Sequence, residues 1–140
     1  MNQLSRAMAT LPGHTLVLCK DETVLVDDRH GIAPMMAYLA EGRDFTGYAV
    51  ADTVVGRAAA MLFLKAGIRE VYARNLSEGA LVYLKARGAH VRYSHLTKFI
   101  ANRDKTGVCP METAVAGTDD PEEGYRLLKT VVKDLSADRT

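Results

Sequence analysis

Apolar residues keep helical spacing at the start of the chain, fall into short β-branched runs through the middle, and regain helical spacing at the end. Leu4, Ala7, Met8 and Leu11 share one face of a helix predicted over residues 2–11. Pro12-Gly13 ends it. Residues 14–19 and 23–26 are apolar and β-branched around the polar turn Lys20-Asp21-Glu22, which predicts a β-hairpin. Residues 27–31 form a charged connection. Pro34 then suits the first turn of a helix carrying Met35, Met36, Leu39 and Ala40 and ending at Gly42.

From residue 45 the pattern alternates strand and helix. Residues 45–51 read as a strand leading into Asp52, where a helix begins and runs to Ala66 before Gly67 closes it. That helix is apolar nearly all round, so it must be buried on most faces. Residues 70–73 form the next strand. Residues 77–87 form a helix with Ser77 as its cap, and residues 90–93 a further strand. Residues 95–103 have the spacing of a short helix, with Leu96, Phe99 and Ile100 inward. A closing helix over residues 121–135 starts behind Asp119 or Asp120 and shows Tyr125, Leu128, Val131, Val132 and Leu135 on one face. Strands alternating with helices across short loops imply parallel pairing, and the hairpin adds an antiparallel edge. The expected fold is α/β: a three-layer α/β/α sandwich around a mixed five-stranded sheet, one domain over residues 1–140.

Charge narrows the function classes. Lys and Arg number 18 against 17 Asp and Glu, a net charge of +1, which makes no electrostatic case for nucleic acid or an anionic membrane as partner. The first eleven residues lack the apolar core of a signal peptide, and no apolar run reaches the roughly 18 residues of a membrane span. A cytoplasmic location is the expectation. The two cysteines, Cys19 and Cys109, make neither a disulfide framework nor a zinc site by themselves. His90 and His95 are five apart, which is not metal-ligand spacing on a helix. No metal site and no cofactor are expected.

Three stretches carry more polar chemistry than a scaffold requires. Asp52-Thr53 can cap the helix that follows or border a ligand site. Arg57, one turn on, opposes the helix dipole and makes sense as a partner for Asp52 or for a ligand's phosphate or carboxylate. Ser77 and Glu78 follow the next strand, where a helix start offers free N–H groups to an anionic oxygen, although capping alone would explain Ser77. Residues 102–112 gather Asn102, Arg103, Asp104, Lys105, Thr106, Cys109 and Glu112 around Gly107 and Pro110. Asp52, Cys109 and Glu112 are the candidate catalytic groups. Cys109 needs a base or a positive field to act as a nucleophile, and the sequence assigns none.

Three of these motifs together, Val50-Ala-Asp-Thr-Val-Val-Gly-Arg-Ala-Ala-Ala, Leu76-Ser-Glu and Asn102-Arg-Asp-Lys-Thr-Gly-Val-Cys-Pro-Met-Glu, resemble the DUF1893 family over about residues 14–135. The resemblance implies a cytidine deaminase-like fold with no settled function. Zinc deaminases place His or Cys, then Glu two residues on, at one helix start and Pro-Cys-x-x-Cys at the next. Aligned on that pattern, this chain holds Asp52-Thr53-Val54 at the first place and Ser77 to Ala80 at the second, so the zinc ligands are missing. The resulting expectation is a metal-free domain that binds a nucleotide or ADP-ribose-type small molecule through Asp52, Arg57, Ser77, Glu78, Asn102, Arg103, Asp104, Thr106, Cys109 and Glu112. Asp52, Ser77 and the 102–112 loop should then share one rim of the sheet. A non-zinc group-transfer or hydrolytic enzyme, and a structural or protein-interaction module that forms a homo-oligomer, are the alternatives.

Overall fold

The computed structural model describes residues 2–102 and 105–138. Helix α1 (Gln3–Thr10) begins where the Asn2 side chain accepts from the Ser5 amide. Strands β1 (Leu16–Lys20) and β2 (Thr23–Asp27) form the expected hairpin, with Asp21 at φ 50° in its turn. Helix α2 (Ala33–Ala40) carries Pro34 in its first turn. Strand β3 (Ala49–Val55), helix α3 (Arg57–Lys65), strand β4 (Glu70–Ser77), helix α4 (Glu78–Ala86) and strand β5 (His90–Thr97) alternate as expected. A short α5 (Pro110–Val115) and a long α6 (Pro121–Asp138) complete the described chain.

The five strands form one mixed sheet in the order β2-β1-β3-β4-β5. β3, β4 and β5 are parallel, and β1 is antiparallel to both of its neighbours. Alternation along the strands separates two faces. Val17, Cys19 and Ala51 pack with Ala7 and Leu11 at α1. Leu16, Leu18 and Val50 point the other way, into the larger cluster that includes Met61, Leu62 and Phe63 of α3 and Leu84 of α4. Residues 58–63 of α3 are all buried, as a helix apolar on every side must be.

At their carboxyl ends β3, β4 and β5 run further than the local pattern indicates, and β3 starts at Ala49, not at residue 45. β3 continues through Asp52 to Val55, because Thr53, Val54 and Val55 suit a pleated surface and Val54 and Val55 pair with Asn75 and Leu76. α3 therefore starts at Arg57, behind Gly56 and not at Asp52, and Asp52 does not cap it. β4 extends to Ser77 and β5 to Thr97 by the same mutual pairing, Asn75 with His95 and Leu76 with Leu96. The helix expected over residues 95–103 does not form. Ladder hydrogen bonds to β4 outweigh the weak helical spacing there, and Leu96 and Phe99 are exposed where they were expected inward. At α6, the Asp120 carboxylate accepts from the Glu122 amide and Leu128 is buried, while the Leu135 side chain lies outside the described set. Among the described residues, no helix is long and apolar enough to cross a membrane.

Candidate functional site

The carboxyl ends of β3, β4 and β5 define one rim, and α3 and α4 both start there. An α-helix leaves its first amides without acceptors, so each start needs a partner. At α3 the cap residue is Gly56, which has no side chain to offer. The partner comes from α5: Glu112 Oε1 accepts from the Arg57 amide at 2.7 Å and Oε2 from the Ala58 amide at 2.8 Å. Pro110 in the first turn of α5 holds this short helix in place, with the Cys109 carbonyl accepting from the Glu112 and Thr113 amides. A Cβ on Gly56 would stand 2.2 Å from Glu112 Oε1 and 2.7 Å from Ile100 Cγ1, so glycine is what lets the carboxylate in.

Arg57 leaves this start sideways. Its guanidinium donates to the Asp119 carboxylate and the Thr118 carbonyl and lies 5.0 Å from the Tyr83 ring centroid. Arg87 approaches the same ring, at 5.3 Å. Tyr83 Oη donates to the Asp119 carbonyl at 2.8 Å, and burial raises its pKa above the usual phenol value. The expected partnership of Arg57 with Asp52 is not present; Asp119 takes that role. Arg57 Nε is buried, and its N–H has no acceptor among the described residues.

At α4 the start is capped from within. Ser77, buried at the end of β4, accepts from the Ala80 amide at 3.0 Å, as its position in the sequence predicts. Glu78 stands exposed in the first turn, where a carboxylate suits the helix dipole. Between the two helix starts and the segment after β5 lies a cleft of about 230 Å³, lined by Arg57, Ser77, Gly79, Lys98, Phe99, Ile100, Glu112 and Ala116.

Three of the expected site residues, Arg57, Ser77 and Glu112, thus meet in one cleft. Asp52 is not among its lining residues. It lies three positions before the rim inside β3, between Leu16 and Ala73 on the neighbouring strands, and its Oδ1 accepts from the Thr53 amide at 2.7 Å. Burial pushes its carboxyl up to about 7, against the lowering effect of the Thr53 and Val54 amides. Asn102 and Thr106 serve their own loop: Asn102 Oδ1 accepts from the Thr106 and Gly107 amides, and Nδ2 donates to Thr106 Oγ1. This organises the turn between Ala101 and Val108, which form a bridge. Cys109 is half-buried at the cap position of α5. Arg103 and Asp104 lie outside the described residues. Among the described residues, no group of three His, Cys, Asp or Glu side chains is placed to hold a metal ion.

Sequence reasoning missed Gly79, Lys98 and Phe99 as cleft residues. Gly79 follows Ser77 and Glu78 in the sequence, but nothing local marks it as special. Lys98 and Phe99 were hidden by the helical reading of residues 95–103; a longer β5 would have put them at the rim.

Three comparisons place this geometry among known proteins. The model of a domain of unknown function, DUF1893, matches residues 7–132. A crystal structure of a DUF1893 family protein from Thermotoga maritima is 25% identical with a TM-score of 0.81, over 95% of this chain and 90% of that one. No curated protein matches.

Proposed function

The chain belongs to the DUF1893 family, and for this member we propose a metal-free, deaminase-like domain that binds a nucleotide or ADP-ribose-type small molecule at the rim cleft. The observation that carries this reading is the meeting of Arg57, Ser77 and Lys98 in one cleft at two helix starts. Helix starts and cationic side chains are the usual partners of phosphate oxygens. The order of elements supports a cytidine deaminase-like, three-layer reading of the fold. With α3 starting after Gly56, the first deaminase ligand place moves to Gly56-Arg57-Ala58, which has neither His, Cys nor Glu. The second place, Ser77 to Ala80, has no cysteine. These side chains do not fit a zinc-activated water.

Binding is favoured over catalysis by where the candidate catalytic groups stand. Both Glu112 oxygens are engaged by α3 amides, and Asp52 is enclosed in β3. A thermal-shift panel of nucleotides, dinucleotides and ADP-ribose compounds tests the proposal. The expected result is a raised melting temperature with at least one phosphorylated compound, diminished in Lys98→Ala. No shift with any compound at millimolar concentration would remove the reading.

A second reading rests on β5. It is an edge strand of eight residues with its outer side unpaired in the sheet order, and Tyr93 and Leu96 are exposed on it. Such an edge is a template for another strand, and a second copy of this chain pairing there would make a homo-oligomer. Light scattering on the eluting protein gives the mass. A monomer at all concentrations would exclude it.

A further inference from the structure

The rim cleft holds an imbalance of donors. Arg57 Nε–H is buried with no acceptor among the described residues. The buried Ser77 hydroxyl uses its oxygen on the Ala80 amide, which leaves its proton to give. The Glu78 and Gly79 amides belong to the first turn of α4, where no intrahelical acceptor exists. Lys98 adds an ammonium, which can only donate. Among the described residues, the one carboxylate on the lining, Glu112, has both oxygens committed to α3. With its carboxylate engaged, the lining is rich in donors and poor in free acceptors, which suits an acceptor-only group such as a phosphate.

Gly79 points the same way by independent means. A Cβ built there meets nothing within 4 Å, and its backbone is not in the left-handed region. Neither packing nor conformation requires glycine, and glycine is a poorer helix former than alanine. What bare backbone at Gly79 provides is close approach to the α4 amides from the cleft.

Charge and size limit what enters. The lining carries Arg57 and Lys98 against Glu112, and Asp119 is already paired with Arg57. With Arg57 so paired, Lys98 is the lining cation without a carboxylate partner among the described residues, and with the donors above it suits one phosphomonoester, of about −1.5 to −2 at neutral pH. On the Asp119 side of the cleft, Arg57 and Arg87 both already donate to Asp119 and so are engaged before any further phosphate arrives. A volume of about 230 Å³ falls below that of pockets enclosing a whole drug-sized ligand, about 300–1,000 Å³. The remainder of the ligand therefore stays at the mouth, where Phe99 is 53% exposed and offers a face for stacking.

We infer that the cleft takes the phosphate of a nucleoside monophosphate, with the base on Phe99, and discriminates against diphosphates, triphosphates and ADP-ribose. This rests on the binding reading above and narrows its ligand. The test is calorimetric titration of the full chain with adenosine monophosphate, diphosphate and triphosphate, ADP-ribose, ribose 5-phosphate and adenosine. The monophosphate is expected to bind at least tenfold more tightly than each of the others. Gly79→Leu, which fills the cleft from a position with open space, should abolish that binding while the unliganded melting temperature stays equal or rises. Gly79→Ala should weaken it severalfold, and this variant serves if the leucine one does not fold. Phe99→Ala should weaken the monophosphate at least fivefold and leave ribose 5-phosphate unchanged. Tighter binding of ADP-ribose or the triphosphate, or full affinity in the Gly79 variants, would overturn the inference and leave nucleotide binding standing. No heat with any phosphorylated compound would overturn both.

Discussion

The two parallel strand–helix units, β3–α3 and β4–α4, lie side by side yet finish their helix starts in opposite ways. α4 uses the residue before it: Ser77 caps the Ala80 amide, and the Glu78 and Gly79 amides before it have no intrahelical acceptor. α3 has glycine in that place and takes a carboxylate from a residue 55 positions away, which occupies two amides. The strands differ too. Asp52 sits in β3 opposite Ala73 in β4, so one unit buries a carboxyl where its neighbour buries a methyl group. The lesson is that equivalent positions in a repeated unit need not share a role. The α3 start is closed by the fold itself, and the α4 start is left available.

The largest effect should come from forcing the α3 start to lose its carboxylate. Gly56→Ala places a methyl group where Glu112 and Ile100 stand, and it should cost about 4 kcal/mol by combining overpacking with the lost cap. Chemical denaturation measures this, and a loss below about 1 kcal/mol would mean the α5 contact yields cheaply. In a Glu112→Ala background much of that cost should vanish, because the two changes act on one contact.

Asp52→Asn comes next, with the opposite sign. Because the folded carboxyl titrates at about 7 and the unfolded one near its ordinary 3.8, its stabilising protonation is fully present below the unfolded value and is lost as pH rises through the folded one. The wild type should therefore lose stability between about pH 4 and 7. The asparagine variant should lack this slope and be more stable at pH 8 by up to roughly 4 kcal/mol. Parallel pH profiles of the two proteins would refute this assignment.

Glu112→Ala alone leaves the Arg57 and Ala58 amides uncapped and should cost about 2 kcal/mol. Hydrogen exchange should rise first at the α3 start and α5; a rise spread evenly over the chain would argue against a local cap. Ser77→Ala is the smallest, about 1 kcal/mol, since only one amide loses its partner. If it equalled or exceeded the Glu112 effect, the contrast between the two starts would fail.

Much of this was legible in the residues. The hairpin, the buried all-round apolar helix, the Ser77 cap and the parallel succession follow from local pattern. Arg57, Ser77 and Glu112 were singled out by residue type and spacing, and they line one cleft. The strand ends were not legible. Residues 52–55 and 95–97 become strand only because neighbours pair with them, and that shift moved Asp52 off the rim and brought Lys98 and Phe99 onto it.

By itself, the sequence determined most of the elements, though not α5 or the end of β5, and it determined the family and which residues carry polar chemistry, because periodicity, turn residues and side-chain chemistry are local. Only the tertiary structure decided that Glu112 caps α3, that Arg57 pairs with Asp119 and not with Asp52, and that Gly79 faces a cleft. Those contacts join residues tens of positions apart, and which buried donor meets which acceptor is settled by packing, not by spacing along the chain.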